Sequence, residues 1–182
     1  MLEAPYVVDK SVWDRGPWQK EPDRVDFVHA GLACLALRHP AHGNWCGYVG
    51  VPREHLLFGR DWMKGELAGY DLDVHGGVTY TAPCDGAVIC HVAAPGMPDD
   101  VWWIGFDCGH CFDRCPGRDA LLAEMREMAV NLDSRCKDAF RRTAVDRMER
   151  YRPLPYVRHE IEGLAAQLAR MLPARMLARP LS

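Results

Sequence analysis

The chain has 182 residues, a formal charge of −3 and 48% hydrophobic residues, which suits one domain with a sizeable core and excludes a disordered chain. Three serines, none in a Gly-x-Ser-x-Gly setting, exclude an ordinary serine hydrolase; four lysines, none after a Gly-rich loop, exclude a P-loop nucleotidase. No Gly-x-Gly-x-x-Gly opens a Rossmann cofactor site, and His159-Glu160 lacks the second histidine of a zincin helix.

Residues 1–24 carry Trp13, Pro17, Trp18 and Pro22 without a sustained period, and read as an irregular segment laid over the body by its aromatics. Residues 33–38 and 46–51 are strand-like runs joined by a loop with Pro40 and Gly43-Asn44, which predicts a hairpin. Residues 53–70 read as loop with a helical turn around Trp62. Residues 71–75 alternate, with Leu72 and Val74 on one side, and predict a strand that ends at Gly76-Gly77, where the backbone can approach something closely. Residues 78–84 and 87–92 flank Asp85-Gly86, a strong hairpin signal; with a two-residue turn Cys84 faces Ala87 rather than Cys90.

Residues 101–106 predict a buried strand in which Trp102 and Trp103 point to opposite faces. Beyond it the period changes to helical: Leu121, Leu122, Met125 and Met128 predict a helix whose apolar side chains enter the core, and a second helical stretch is expected over 135–150. Pro153 and Pro155 interrupt it and start a last helix with Val157, Ile161, Leu164 and Leu168 on one face. Strands first and helices later imply a single α+β domain, an antiparallel sheet of hairpins packed with C-terminal helices. Its expected parts are the irregular segment 1–24, a sheet body over 25–116, a helical insertion over 117–150, a closing helix over 151–172 and a tail over 173–182.

The start has neither a basic region nor an apolar signal core, and the longest apolar run, 30–37, is too short to cross a bilayer. A cytoplasmic protein with no membrane partner is therefore expected. Its eight cysteines should be reduced, with Cys34, Cys46, Cys84, Cys90 and Cys136 as small core or sheet residues. Residues 1–117 are net acidic, which argues against nucleic acid as a partner. The excess of arginine over lysine reads as a GC-rich genome rather than forked anion recognition.

Chemistry concentrates in residues 107–115, where Asp107, Cys108, His110, Cys111, Asp113 and Cys115 fall within nine positions after a buried strand. Three readings compete. Cys108, Cys111 and Cys115, with a histidine, could hold zinc, although a second cysteine pair is missing. Cys108-Gly-His-Cys111 has the form of a redox dithiol, but that fold needs strands downstream and here everything downstream is helical. Asp107, His110 and Asp113, facing His75 or Asp73, could do general acid–base work or grip a polar ligand. The plain alternative is that the aspartates cap the following turn and helix. His39 and His42 read as exposed loop residues with at most a weak hold on a metal.

Several segments together, Gly16-Pro-Trp-Gln-Lys-Glu-Pro-Asp-Arg24, Cys46-Gly-Tyr-Val-Gly50, Asp73-Val-His-Gly-Gly-Val-Thr-Tyr80 and Trp102-Trp-Ile-Gly-Phe-Asp-Cys-Gly-His110, resemble a biochemically uncharacterised family of small phage and prophage proteins. Tyr156-Val-Arg-His-Glu160 is similar to its closing helix. The resemblance spans roughly residues 13–116 and 151–170, and implies a phage accessory protein in the host cytoplasm. It places the emphasis on His75, Asp107, Cys108, His110 and Asp113. It also implies that Cys111 and Cys115 depart from the family pattern, which weakens both the zinc and the dithiol readings. Two function classes follow: a protein that binds a small polar, nucleotide-like ligand or a host protein, with counter-defence as the role the phage setting implies; or a hydrolase using His75, His110 and the aspartates, with or without a metal.

Overall fold

A computed structural model of the chain describes residues 6–84, 88–90, 100–132 and 148–173. Five strands, β1 (Arg24–His29), β2 (Leu32–Arg38), β3 (Trp45–Pro52), β4 (Tyr80–Pro83) and β5 (Val101–Asp107), form one sheet in the order β1-β2-β3-β5-β4. Every pairing is antiparallel. Two helices follow, α1 (Pro116–Leu132) and α2 (Leu154–Ala169), so the fold is α+β as the order of elements predicts. No helix of the described residues is long and apolar enough to cross a membrane.

Burial explains the sheet. β2 and β3 are buried along their whole length because both faces are covered. One face, with Cys34, Ala36, Val49, Ile104 and Phe106, packs on Val157, Ile161, Leu164 and Leu168 of α2. The other, with Leu35, Leu37, Tyr48 and Trp103, lies under Tyr6, Cys84 and Ile89. α2 can lie close to the sheet because β3 has Gly47 at the crossing; a Cβ there would stand 2.6 Å from Ile161 Cγ1 and 2.4 Å from the Phe106 ring. Val8, Trp13 and Trp18 build a small separate core with Tyr151, which fastens the N-terminal segment.

That segment is also held by charge. Arg38, wholly buried, donates to Asp23, Glu21, the Gly43 carbonyl and the Tyr151 hydroxyl, and stacks 4.3 Å over the Trp45 ring.

Several expectations change or fall partly outside the described residues. The alternation over 71–75 is real in burial, with Val74 buried and Asp71 and Asp73 exposed, but no strand forms. The hydrogen bonds a neighbouring strand would supply come instead from a side chain of α2: Gln167 accepts from Asp73 N at 2.8 Å and donates to Asp73 O at 2.7 Å. The expected Asp85-Gly86 turn lies outside the described residues; β4 pairs with β5, Tyr80 opposite Gly105, and of the expected partner strand, residues 88–90 are not strand and 87, 91 and 92 lie outside the described residues.

Cys84 and Cys90 are joined by a disulfide, with Cα atoms 5.1 Å apart, rather than both being reduced. β4 ends at Pro83, so Cys84 lies outside any ladder, and Cys90 is not in a strand either, which frees the pair from hairpin register. Leu121, Leu122, Met125 and Met128 are exposed rather than core, because α1 lays none of them on the sheet. Most of the helix expected over 135–150 lies outside the described residues, and its last described part, 148–150, is a turn leading to an isolated bridge.

Candidate functional site

The site forms where three stretches distant in sequence meet: the loop through His75, the turn after β5, and the chain entering α2. An isolated parallel bridge pairs Asp113 with Arg150, so the turn and the α2 entry run side by side. The Arg114 N–H donates to the Arg150 carbonyl at 3.0 Å, and the Arg150 N–H to the Phe112 carbonyl at 2.9 Å.

Asp113 is the hub, with 1% of its surface exposed. Its Oδ2 accepts from His75 Nε2 at 2.7 Å and from the His110 backbone N–H at 3.1 Å. Its Oδ1 accepts from Arg152 Nε at 2.8 Å. Burial alone would push this carboxyl up, but Arg152, His75 and the His110 N–H together hold it below the ordinary carboxylate range. It is therefore an anion in place, accepting two hydrogen bonds on Oδ2 and one on Oδ1.

His75 is gripped on three sides. Besides Asp113 on Nε2, its Nδ1 lies 3.0 Å from the Tyr156 hydroxyl, and its backbone N–H donates to Glu160 at 2.8 Å. Tyr156 and Glu160 stand four apart near the start of α2, hence on one face of it. Burial and the Glu160 charge push the Tyr156 hydroxyl up, so it stays protonated as a donor or relay.

His110 completes the group. Its ring meets the His75 ring edge-on, centroids 5.5 Å apart, and its Nδ1 lies 3.5 Å from Asp113 Oδ2 without hydrogen-bond geometry. The glycine pair after His75 serves this ring: a Cβ on Gly76 (φ +67°) would fall 2.0 Å from His110 Cε1. The close approach expected at Gly76-Gly77 is made by a side chain of the protein itself.

Among the described residues, one ligand atom each from His75, His110 and Asp113 lie within 4.8 Å of one another, a spacing that could hold a metal ion. The cysteines are not in this group. Cys108 is buried in the main core and Cys111 is exposed, while the Cys115 thiol donates to the Cys108 and Asp113 carbonyls. Burial pushes the Cys115 thiol up to about 11 and that of Cys108 higher still, which opposes the thiolate a metal or a disulfide exchange needs.

Asp107 is also placed apart: its Oδ2 accepts from Thr79 and its Oδ1 from the Gly109 N–H, so it shapes the turn after β5. Asp73 is exposed, with its backbone held by Gln167. His39 and His42 stack at 4.4 Å, and His39 Nδ1 accepts the His42 N–H.

Sequence reasoning reaches His75, His110 and Asp113, and misses Tyr156, Glu160 and Arg152. The i, i+4 pair Tyr156 and Glu160 was a usable signal; Arg152 carries none. Arg152 gives Asp113 only its Nε, and its two terminal nitrogens bond no described residue, while its side chain remains 27% exposed beside the Tyr156 ring. Searches of protein-family models, of curated proteins and of solved structures each found no match to this chain.

Proposed function

We propose that the chain is a phage accessory protein that binds a small, polar, anionic ligand over His75, His110, Arg152 and Tyr156, with counter-defence as the role its setting suggests. The observation that carries the binding reading is the clamped imidazole: Asp113 and Tyr156 occupy both ring nitrogens of His75. A ring so held is preorganised and does not offer a free lone pair to a substrate. Beside it stand the terminal nitrogens of Arg152, which bond no other described residue and form a forked donor suited to a phosphate or carboxylate, and the partly exposed His110 ring. A nucleotide-like ligand fits those donors, with Tyr156 offering an aromatic edge. The phage setting and the counter-defence role rest on the sequence motifs alone.

A second reading has its own support. The chain Asp113–His75–Tyr156 is the arrangement in which a carboxylate fixes a histidine's tautomer while the opposite nitrogen faces a hydroxyl, as in hydrolytic centres. A thermal-shift screen of nucleotides and small dicarboxylates, followed by mass spectrometry of the recovered compound, separates the two. The binding reading expects a ligand recovered intact, and a loss of the shift of at least about tenfold in affinity in R152A. A converted compound, with conversion abolished in H75A, would replace it by the hydrolase.

A further inference from the structure

We infer that His75 Nε2, His110 and the Oδ2 of Asp113 form a binding site for a single divalent transition-metal ion of the zinc class. Two imidazoles and one carboxylate are a donor set for such ions, and the three already point to one place. Around a tetrahedral zinc ion, neighbouring ligand atoms stand roughly 3.3–3.5 Å apart, given bonds of about 2.0–2.1 Å. Asp113 Oδ2 and His110 Nδ1 are 3.5 Å apart. Asp113 Oδ2 and His75 Nε2 are at 2.7 Å, a hydrogen bond that opens when the ion takes the place of the proton between them.

Independent observations point the same way. His110 Nδ1 is a buried atom with no hydrogen-bond partner, an arrangement that costs free energy unless something fills it. The loop opposite is cut back to glycine at Gly76, which leaves room for the ring beside His75. The outer partners are those a metal ligand needs. The Tyr156 oxygen can accept a hydrogen bond from the His75 Nδ1–H once Nε2 is the ligand, and Arg152 occupies Asp113 Oδ1, which leaves one carboxylate oxygen to bind singly. Among the described residues no fourth His, Cys, Asp or Glu joins the group, so none of them fills the remaining, open coordination position. The ion itself does not depend on the binding reading above. Assigning the open position to that reading's anionic ligand does, and Arg152 would then lie beside it.

The test uses the whole chain stripped with a chelator and titrated with Co²⁺ and then Zn²⁺, without any organic ligand. The expected result is one equivalent of Co²⁺ with visible absorption in the intensity range of a four- or five-coordinate N/O site, displaced by Zn²⁺. Changes to outer partners of metal ligands weaken binding by about 10–100-fold, so removal of a ligand in H110A should weaken it by more than about 100-fold. Should H110A not fold, H110Q, which keeps the volume, carries the same expectation. C111S and H39A should bind as the parent does. Y156F should weaken Co²⁺ by about 10-fold or more while retaining the stoichiometry.

No stoichiometric uptake by the folded parent overturns the site. So does uptake that survives in folded H110A or H110Q, or that disappears in C111S. Where no metal is taken up, nucleotide or dicarboxylate binding by the metal-free protein leaves the ligand reading standing while the metal fails. Metal uptake without any such binding would do the reverse.

Discussion

The adjacent glycines Gly76 and Gly77 allow a sharp test of whether the loop after His75 exists to seat His110. Both have left-handed φ values, +67° and +83°, so alanine at either pays the same backbone cost of about 1–2 kcal/mol. Part of that is offset by the lower entropy of the unfolded chain, which leaves roughly 1 kcal/mol, or about 2–4 °C in Tm for a chain of this length. The two differ in what a new Cβ meets. At Gly77 there is nothing within 4 Å; at Gly76 the Cβ falls 2.0 Å from His110 Cε1. Non-bonded carbons rest at about 3.5–4.0 Å, so the ring must retreat by more than about 1 Å. The His110 side chain is 37% exposed and can swing toward water, so the added loss of stability in G76A is expected to be small. The loss of the site is not. Ring-to-ring NOEs between His75 and His110, whose centroids are 5.5 Å apart, should be present in the parent and in G77A and absent in G76A. Whatever His110 binds should weaken in G76A as it does in H110A, with no further loss in the double variant. Retention of the NOEs in G76A, or their equal loss in G77A, refutes the reasoning.

Other parts of the fold give separate predictions. R38M should lower stability by about 3–5 kcal/mol in urea denaturation, because it leaves the carboxylates of Glu21 and Asp23 without their buried partner; a loss below 1 kcal/mol would mean that Lys10 and Tyr151 suffice. His55 is neutral in the fold: its Nδ1 accepts the Leu57 N–H at 3.0 Å, so its Nε2–H donates to the Leu168 carbonyl at 2.9 Å. Burial pushes its pKa below the ordinary histidine value, against a smaller upward pull from that carbonyl. The unfolded chain therefore binds the extra proton first, and stability should fall as pH drops through about 6.5; the slope of Tm against pH between 7 and 5.5 should be shallower in H55Q. The Cys84–Cys90 bridge closes a loop of sequence separation 6, which is worth at most about 2.5 kcal/mol of unfolded-chain entropy. Peptide mapping without reductant should recover that crosslink, and C84S/C90S should cost no more than this amount.

What the sequence made legible follows from which forces act locally. The β2–β3 pair and α2 are written in continuous apolar runs and a clean helical period, because burial on both faces or along one stripe leaves that trace. β1 leaves a weaker one. It alternates, with Val25 and Phe27 packed against the core and Val28 60% exposed, but its turn is Ala30-Gly31, with Ala30 at φ +50°, where asparagine or aspartate would have announced a hairpin. Residues 71–75 show the converse: the period survives because Val74 and Leu72 face the core, yet a glutamine of α2 stands in for the neighbouring strand. A period reports burial and does not report what satisfies the backbone. In the site, crowding within nine residues exposed Asp113 and His110, whereas Arg152 and Tyr156 reach it from 39 positions beyond Asp113 and 81 beyond His75. Contacts of that separation leave no local pattern.

The position of Asp113 explains why function and stability must be probed through different residues here. Its carboxylate joins the His75 loop to the α2 entry, and its own backbone pairs with Arg150, so the residue that orients the imidazole also holds three stretches of chain together. Replacing it by asparagine trades an acceptor oxygen for a donor facing either Arg152 or His75. Charge-assisted hydrogen bonds contribute about 1.5–3 kcal/mol each, so loss of activity in that variant would report unfolding as readily as chemistry. His110 and Arg152 stand on the exposed side of the same carboxylate, and neither side chain enters the core. Removing His110 strips the site of its buried nitrogen while the Asp113–His75–Tyr156 chain stays bonded; removing Arg152 also takes away the Nε–H donated to Asp113 Oδ1. His110, which makes no side-chain hydrogen bond to that anchor, is therefore the position at which the site can change its ligand at least cost to the fold.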